Sequence, residues 1–269
     1  MTPQAYICFA CGTQFPESES TPKNCLICED ERQFVPATGQ RFTTMKELRA
    51  NCQNVIRQVD DGVHEIFIRP SFGIGQRAFL LQTSQGNILW DCISLIDPGT
   101  ISSLWALGGV IAIAISHPHY CASMVEWSHA FGNIPIHIHA ADRQWITKAD
   151  PAIQYWEGGE LELFGGATLV RCGGHFEGAS VLHWAPGASG KGILMTGDVI
   201  QVTPDRRRVS FMFSYPNLIP LNAAAVKRLV ATVEPYQFER IYGAFGHVVE
   251  KDGSAVVKRS AERYLKAIE

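Results

Sequence analysis

Side chains of the kind that bind metal ions occur in four separate segments of this sequence, and each segment follows a predicted strand. They are His117, His119, His175, Asp198 and His247. Imidazole and carboxylate groups are common ligands of Zn²⁺, and loops that follow strands carry function more often than strand interiors do. One such histidine alone would be interpreted as an ordinary polar residue. Four segments of the same kind predict one shared metal site.

The first of these segments has a spacing that lets two imidazoles bind the same ion. His117 and His119 are separated only by Pro118, which restricts the backbone between them. They follow residues 110–115, an apolar and largely β-branched segment typical of a central strand in a covered sheet. The carboxyl end of a central strand is where α/β proteins usually place a site.

A second set of metal-ligating side chains lies near the N-terminus, in two Cys-x-x-Cys pairs that we name the cysteine knuckle. Its members are Cys8, Cys11, Cys25 and Cys28, and residues 12–24 separate the two pairs. Four thiolates so arranged can surround one tetrahedral Zn²⁺ ion. The separation is slightly shorter than the roughly 15–20 residues typical of zinc ribbons, which predicts a compact ribbon. The pattern also resembles the rubredoxin iron knuckle, so zinc and iron both remain open.

The rest of the chain alternates between predicted strands and helices, which must position these residues. Strands are predicted at residues 64–69, 77–82, 87–91, 110–115, 135–138, 160–164, 168–171, 180–184, 192–195 and 239–242. Helices are predicted at residues 98–107, 123–131, 221–233 and 254–268. Asp97 is the expected N-cap of the first helix, with Pro98 as its first residue. Two groups of strands with helices at intervals indicate an α/β protein with two sheets and helices on their outer faces.

Length and composition fit one large domain with a small appendage. The chain has 269 residues, a formal net charge of −3 and 46% hydrophobic residues. We predict a cysteine-rich segment at residues 1–35, a linker at residues 36–39 and a larger domain at residues 42–269. The nearly balanced charge gives no electrostatic indication of a nucleic-acid partner. A small molecule is the expected substrate, and an oligomer is left open.

The sequence also predicts a cytoplasmic location. The first residues lack the basic and apolar stretches of a signal peptide, and no apolar run is long enough to span a bilayer. We therefore expect no membrane association. Cysteines in the cytoplasm tend to stay reduced, which favours metal binding over disulfides in the cysteine knuckle.

Taken together, the histidine and aspartate segments resemble the metallo-β-lactamase superfamily. That superfamily has an H-x-H-x-D-H loop, a later G-H-x-x-G-S loop, a G-D at the end of a strand and a final G-H. The matching segments here are residues 117–122 (HPHYCA), 173–180 (GGHFEGAS), 197–198 (GD) and 246–247 (GH). Residues 87–91 (NILWD) also look like the early strand of the superfamily that ends in Asp. The resemblance extends from about residue 42 to the end of the chain.

The resemblance implies an αββα sandwich with the metal site at one edge, between the two sheets. It implies that His117, His119 and His175 hold a first metal ion. Asp198 would bridge to a second ion, whose position His247 would complete, and Asp198 would be the catalytic residue. Zinc is the implied metal, with iron as an alternative. A metal-bound hydroxide would be the nucleophile, because the metal acidifies its water.

The first loop departs from the superfamily pattern at two positions. The Asp and His of the pattern correspond here to Cys121 and Ala122, and Ala122 has no ligating side chain. Cys121 either binds the second ion as a thiolate, together with Asp198 and His247, or is a small buried side chain. The body of the protein could therefore hold one metal ion or two.

Three functions are compatible with these residues. The leading hypothesis is a metal-dependent hydrolase acting on an ester, thioester, lactone, amide or phosphodiester. The second is a mononuclear-iron oxidoreductase of the persulfide dioxygenase type, which uses two histidines and one aspartate. The third is an inactive metal-binding protein whose cysteine knuckle contacts a partner, although the number of retained ligands argues against a complete loss of activity.

Overall fold

The N-terminal residues form a small three-stranded sheet in the computed structural model, which describes residues 3–268. Its strands are β1 (Gln4–Cys8), β2 (Gln14–Ser18) and β3 (Phe42–Thr44). A one-turn helix, α1 (Leu26–Glu29), precedes β3, and α2 (Met45–Asn51) follows it. The sequence of this segment shows no strand period, yet the segment contains β1 and β2. Because β3 pairs with β1 across the expected linker, the division into two domains stays a prediction.

Seven strands form the first large sheet. They are β4 (Gln53–Asp60), β5 (Val63–Arg69), β6 (Arg77–Thr83), β7 (Gly86–Trp90), β8 (Ala112–Ala114), β9 (Ile136–His139) and β10 (Ile153–Trp156). The strands lie side by side in their chain order. Neighbouring strands are antiparallel from β4 to β7 and parallel from β7 to β10. Helix α3 (Pro98–Ala106) connects β7 to β8, and α4 (Met124–Ala130) connects β8 to β9.

The second half of the chain forms the other large sheet and two short hairpins. Its strands are β11 (Glu160–Glu162), β12 (Ala167–Arg171), β13 (Ser180–Trp184), β14 (Ile193–Gly197), β15 (Gln201–Val202), β16 (Val209–Ser210), β17 (Met212–Ser214), β18 (Ile219–Pro220), β19 (Arg240–Gly243) and β20 (Val248–Val249). The sheet has the order β11-β12-β13-β14-β19-β20, while β15 pairs with β16 and β17 with β18. Its helices are α5 (Gly187–Gly190), α6 (Ala223–Val233) and α7 (Gly253–Ile268).

Alternating side chains of the strands divide the interior into three apolar layers. Phe79 of β6 lies in the cluster between the two large sheets, together with Met195 of β14. Its neighbour Leu80 lies in the cluster that includes residues of α3 and α4. In the same way, Leu194 of β14 lies in the cluster that includes residues of α6 and α7. The order of layers, helix-sheet-sheet-helix, confirms the αββα sandwich.

The predicted helices have counterparts at nearly the predicted positions. The Asp97 side chain accepts a hydrogen bond from the Thr100 N–H and caps α3, with Pro98 at its first position. The strand predicted at residues 110–115 is shorter, although the Ile115 N–H still donates to His137 O. The sequence analysis missed β4, whose polar residues hide its alternation. No helix within residues 3–268 is long and apolar enough to cross a membrane.

A buried arginine joins the two large sheets at one edge. The Arg77 guanidinium of β6 donates to the Glu65 carboxylate at 2.5 Å and to the backbone oxygens of Gly243 at 2.9 Å and His247 at 3.1 Å. Both charged side chains are almost fully buried. The same carboxylate also accepts from Arg57, whose side chain is 65% exposed. Arg77 therefore fixes the end of β19 and the following loop to the first sheet.

Replacing Glu65 by Gln tests this connection. Glu65→Gln leaves the Arg77 charge buried without an ionised partner, and we expect the free energy of unfolding in urea to fall by about 3 kcal/mol. Arg57→Gln removes the exposed partner of the same carboxylate and should cost no more than about 1 kcal/mol. Equal losses in the two variants would contradict the bridging role of Arg77.

Candidate metal centre

Four of the predicted ligands meet where the two large sheets join. His117 and His119 follow β8 of the first sheet, and His175 and Asp198 follow β12 and β14 of the second. One ligating atom from each residue lies within 4.8 Å of all the others. His175 Nε2 is 3.3 Å from His119 Nδ1, and His117 Nε2 is 3.0 Å from Asp198 Oδ1. Residues from three separate segments of the sequence thus share one small volume.

The burial and the unpaired polar atoms of this group fit a bound metal ion. None of the four side chains belongs to a residue more than 3% exposed. Within residues 3–268, His117 Nε2, His119 Nε2 and Asp198 Oδ1 are buried and make no hydrogen bond, although His117 Nε2 lies 3.0 Å from Asp198 Oδ1. Buried polar atoms without partners are rare because their desolvation is costly. Three imidazoles and one carboxylate are a donor set that suits zinc.

Hydrogen bonds on the outer side orient the ligands toward their common centre. His175 Nδ1 donates to Met212 O at 3.1 Å, which leaves Nε2 free for a metal ion. His117 Nδ1 lies 3.1 Å from the Ser116 hydroxyl. The Tyr215 hydroxyl donates to the backbone oxygen of Asp198 at 2.8 Å. These contacts fix the ring planes and the loop that follows β14.

The electrostatic environment favours the protonation states that metal binding requires. Burial lowers the pKa of His119 well below its usual value and lowers the pKa of His175 to about 4. Burial alone would raise the pKa of Asp198, but the adjacent His117 and His175 outweigh it and bring that pKa below its usual range. The neutral imidazoles of His119 and His175 and the ionised Asp198 carboxylate can bind a cation without first losing protons.

Asp91, which matches the early aspartate of the superfamily, makes a hydrogen bond to the loop that carries His117. Its Oδ1 accepts a hydrogen bond from the Ser116 N–H at 2.7 Å, next to the first ligand His117. Burial raises the pKa of Asp91 to about 7. The residue has a positive φ of 59°, a conformation that Asp adopts more readily than most residues. It is therefore placed to position the histidine loop and is not one of the converging ligands.

The structure places Cys121 and His247 outside the converging group. Cys121 is buried in the apolar cluster with Met124 of α4, and burial raises the pKa of its thiol well above the usual value. His247 lines a separate crevice together with Gln201 and Phe245. A second ion bound by Cys121, Asp198 and His247 therefore stays a prediction.

The cysteine knuckle forms a second converging group. The four Sγ atoms lie within 4.8 Å of one another, with Cys8–Cys28 at 3.6 Å and Cys11–Cys25 at 3.5 Å. These distances are far longer than the roughly 2.05 Å of a disulfide bond. Every cysteine of the group is at most 2% exposed. The group fits one tetrahedral ion.

A cavity of about 220 Å³ adjoins His119, His175 and Asp198. Tyr215 and Phe245 both line it. Tyr120 and Phe176 are instead buried beside the histidine rings. The sequence analysis missed the residues that line the cavity from the N-terminal part of the chain, which are Arg32, Gln33 and Phe34. No metal-binding pattern includes them, so nothing in the sequence pointed to that position.

Solved structures show which fold this arrangement belongs to. The chain is similar to the metallo-β-lactamase DIM-1, with a TM-score of 0.60, 12% identity and coverage of 81% of this chain and 99% of that one. It is also similar to a B3 metallo-β-lactamase with an active-site glutamic acid, with a TM-score of 0.55, 14% identity and coverage of 89% and 98%. The protein therefore has the metallo-β-lactamase fold, with a His/Asp metal group and an added cysteine knuckle.

A relative with clear sequence similarity is the uncharacterized protein YmaE of Bacillus subtilis (strain 168). It is 47% identical over 265 residues, which cover 98% of this chain and 96% of the relative. The chain belongs to the same family as YmaE. No protein-family model matches the chain.

The histidine group can be tested by metal analysis of purified variants. His119→Ala removes one of the converging ligands, and we expect the body of the protein to lose its metal ion while the cysteine knuckle keeps its own. His137→Gln is the matched control, because His137 also belongs to a His-x-His pair but lies on β9, outside the group. Elemental analysis should show full metal content in that control. Full content in both variants would contradict the assignment.

The cysteine knuckle allows the reciprocal experiment. Cys25→Ala should release the knuckle ion and leave the ion of the His/Asp group in place, because the two sets share no ligand. Cys52→Ala, at a cysteine outside both groups, should retain both ions. Loss of both ions from Cys25→Ala would mean that the two sites are not independent.

Proposed function

We propose that this protein is a metal-dependent hydrolase of small carboxylic esters, thioesters or lactones. The observation that carries the proposal is the convergence of four buried ligand side chains beside a cavity, with polar atoms of three of them lacking a hydrogen-bond partner among residues 3–268. A metal ion at such a position lowers the pKa of a bound water and polarises a carbonyl oxygen. The fold of solved metallo-β-lactamases agrees with this reaction class.

The residues of the chain have distinct roles in this proposal. His117, His119 and His175 hold the ion as neutral ligands. Asp198 is the one carboxylate of the group, and we assign it both metal binding and the catalytic acceptance of a proton. The Tyr215 hydroxyl fixes the Asp198 backbone, and its pKa, raised well above the usual value by burial, keeps it protonated as a donor.

The cavity wall favours a carboxylic acyl group over a phosphodiester. Apolar side chains line most of it, including Phe34, Ile74 and Phe245. Arg32 is the cationic side chain among the described lining residues, and Asp30 already pairs with it. A phosphodiester would find no free cationic side chain on this wall, so the metal ion alone would have to compensate for its negative charge. An acyl group has no such charge.

A mononuclear-iron oxidoreductase is the second candidate. The observation that favours it is that the described residues form a single converging group in the body, with Cys121 and His247 elsewhere. Metal analysis of protein purified without added metal separates the candidates: zinc supports the hydrolase, and one iron per chain supports the oxidoreductase.

Hydrolysis by the zinc-loaded protein is the direct test. We expect turnover of an activated acetyl ester, a butyryl thioester or a simple lactone. Asp198→Asn should lower kcat/KM by about 100-fold or more, because even residues that only support metal ligands cost 10–100-fold when changed. Asp205→Asn, in an exposed turn, is the matched control and should retain full activity. No turnover of any acyl substrate by metal-loaded protein would sink the proposal.

A further inference from the structure

The segment that follows the cysteine knuckle forms one wall of the cavity at the His/Asp group. Arg32, Gln33 and Phe34 line the cavity opposite His119 and the other ligands. This segment begins only a few residues after Cys28, the last cysteine of the knuckle. The N-terminal appendage therefore reaches the metal site itself.

Arg32 attaches this segment to the loop that carries His175. Its guanidinium donates to Asp30 Oδ2 at 2.8 Å and to the backbone oxygen of His175 at 3.2 Å. The same guanidinium lies 3.8 Å from the ring centroid of Phe176, a contact of the cation–π type. Because the charge is paired and stacked, Arg32 is a structural contact here and is not a free cation for a ligand.

Asn217 holds the same segment through two hydrogen bonds. The Asn217 side chain, between β17 and β18, donates to the backbone oxygens of Glu31 at 2.8 Å and Gln33 at 3.0 Å. Asn217 does not line the cavity. It can therefore be changed without changing the surface that a ligand would contact.

The knuckle itself is also fixed to the body near the histidine loop. The Gln14 N–H donates to Ala122 O at 3.1 Å, directly after the first metal-binding loop. Ser94 donates to Gly12 O at 2.7 Å, and Thr147 donates to Gln14 O at 2.6 Å. A side chain at Gly12, which has a φ of +84°, would lie only 2.4 Å from the Ser94 hydroxyl. These contacts fix the knuckle to the body of the protein, so the segment that follows it can keep a defined position at the cavity.

We propose that residues 32–34 form a specificity wall that restricts the site to compact apolar acyl groups, with Phe34 as the residue that limits acyl length. This inference rests on the proposed hydrolase function. The cavity of about 220 Å³ is smaller than the roughly 300–1,000 Å³ of typical ligand pockets. Phe34 stays 50% exposed, although a phenyl ring gains by burial. Phe34 lines the cavity together with the metal ligands and is also open to solvent, so we expect the far end of a bound acyl chain to meet it.

The first experiment changes Phe34 in the zinc-loaded protein. Phe34→Ala opens the cavity, and we expect the ratio of kcat/KM for an octanoyl ester to that for an acetyl ester to rise about tenfold or more, since single methylene groups already change selectivity by this order. Val35→Ala is the matched control, because Val35 is adjacent, 45% exposed and not part of the cavity wall. Its ratio should stay within about twofold of wild type.

The second experiment loosens the segment without changing the cavity surface. Asn217→Ala removes both bonds to the wall and should shift the acyl-length ratio in the same direction as Phe34→Ala, with unchanged metal content. Leu218→Ala is its control, because Leu218 is the next residue, 79% exposed and absent from the cavity wall. Thermal unfolding of all four variants checks that each is folded.

A binding measurement separates this inference from the proposed function. Calorimetric titration with acetate, butyrate, hexanoate and octanoate needs no turnover. If the protein hydrolyses no acyl substrate but Phe34→Ala shifts binding toward the longer carboxylates, the hydrolase proposal fails and the specificity wall stands. If Phe34→Ala and Asn217→Ala keep the wild-type length profile in both hydrolysis and binding, the specificity wall is overturned. A wild-type protein without length preference in either measurement overturns it as well.

Discussion

The arrangement of this protein depends on a small buried volume in which three imidazoles and one carboxylate converge. His117 Nε2, His119 Nε2 and Asp198 Oδ1 are buried and make no hydrogen bond among residues 3–268. Left alone, such atoms would each cost about 1–3 kcal/mol of desolvation free energy. A cation at their centre would offset that cost, so metal binding and folding of this edge are coupled.

The two-sheet architecture brings the four side chains together. β8 belongs to the first sheet and β14 to the second, and their carboxyl ends lie at the same edge of the sandwich. Arg77 keeps that edge closed by joining β6 to the end of β19. Asp91 supports the histidine loop through the Ser116 N–H. Both Arg77 and Asp91 act on the backbone of loops at this edge, and they position the ligand side chains through that backbone.

Local features of the sequence predict much of the fold and most of the metal group, whereas long-range contacts limit the rest. His117, His119, His175 and Asp198 each follow a recognisable strand, and β-strand ends can be located from apolar periodicity. The same reasoning could not exclude His247, because its distance from the group depends on how the loop after β19 is directed by Arg77. Pairing of β3 with β1 and the wall at Arg32 are equally non-local, and neither leaves a pattern along the chain.

The cysteine knuckle and the His/Asp group differ in their access to a cavity, which is the feature that distinguishes structural from catalytic metal sites. The cysteine knuckle supplies four thiols, all at most 2% exposed, and none of them lines any of the cavities at the His/Asp group. The His/Asp group instead adjoins an open space of about 220 Å³. Structural zinc sites are closed by four protein ligands, and catalytic sites keep one position accessible. A short segment buries too little core to fold alone, so the knuckle is held by its own ligands and by the body. After Cys28 the chain runs to the cavity at the His/Asp group, where Arg32, Gln33 and Phe34 form a wall. The αββα sandwich does not itself supply this wall.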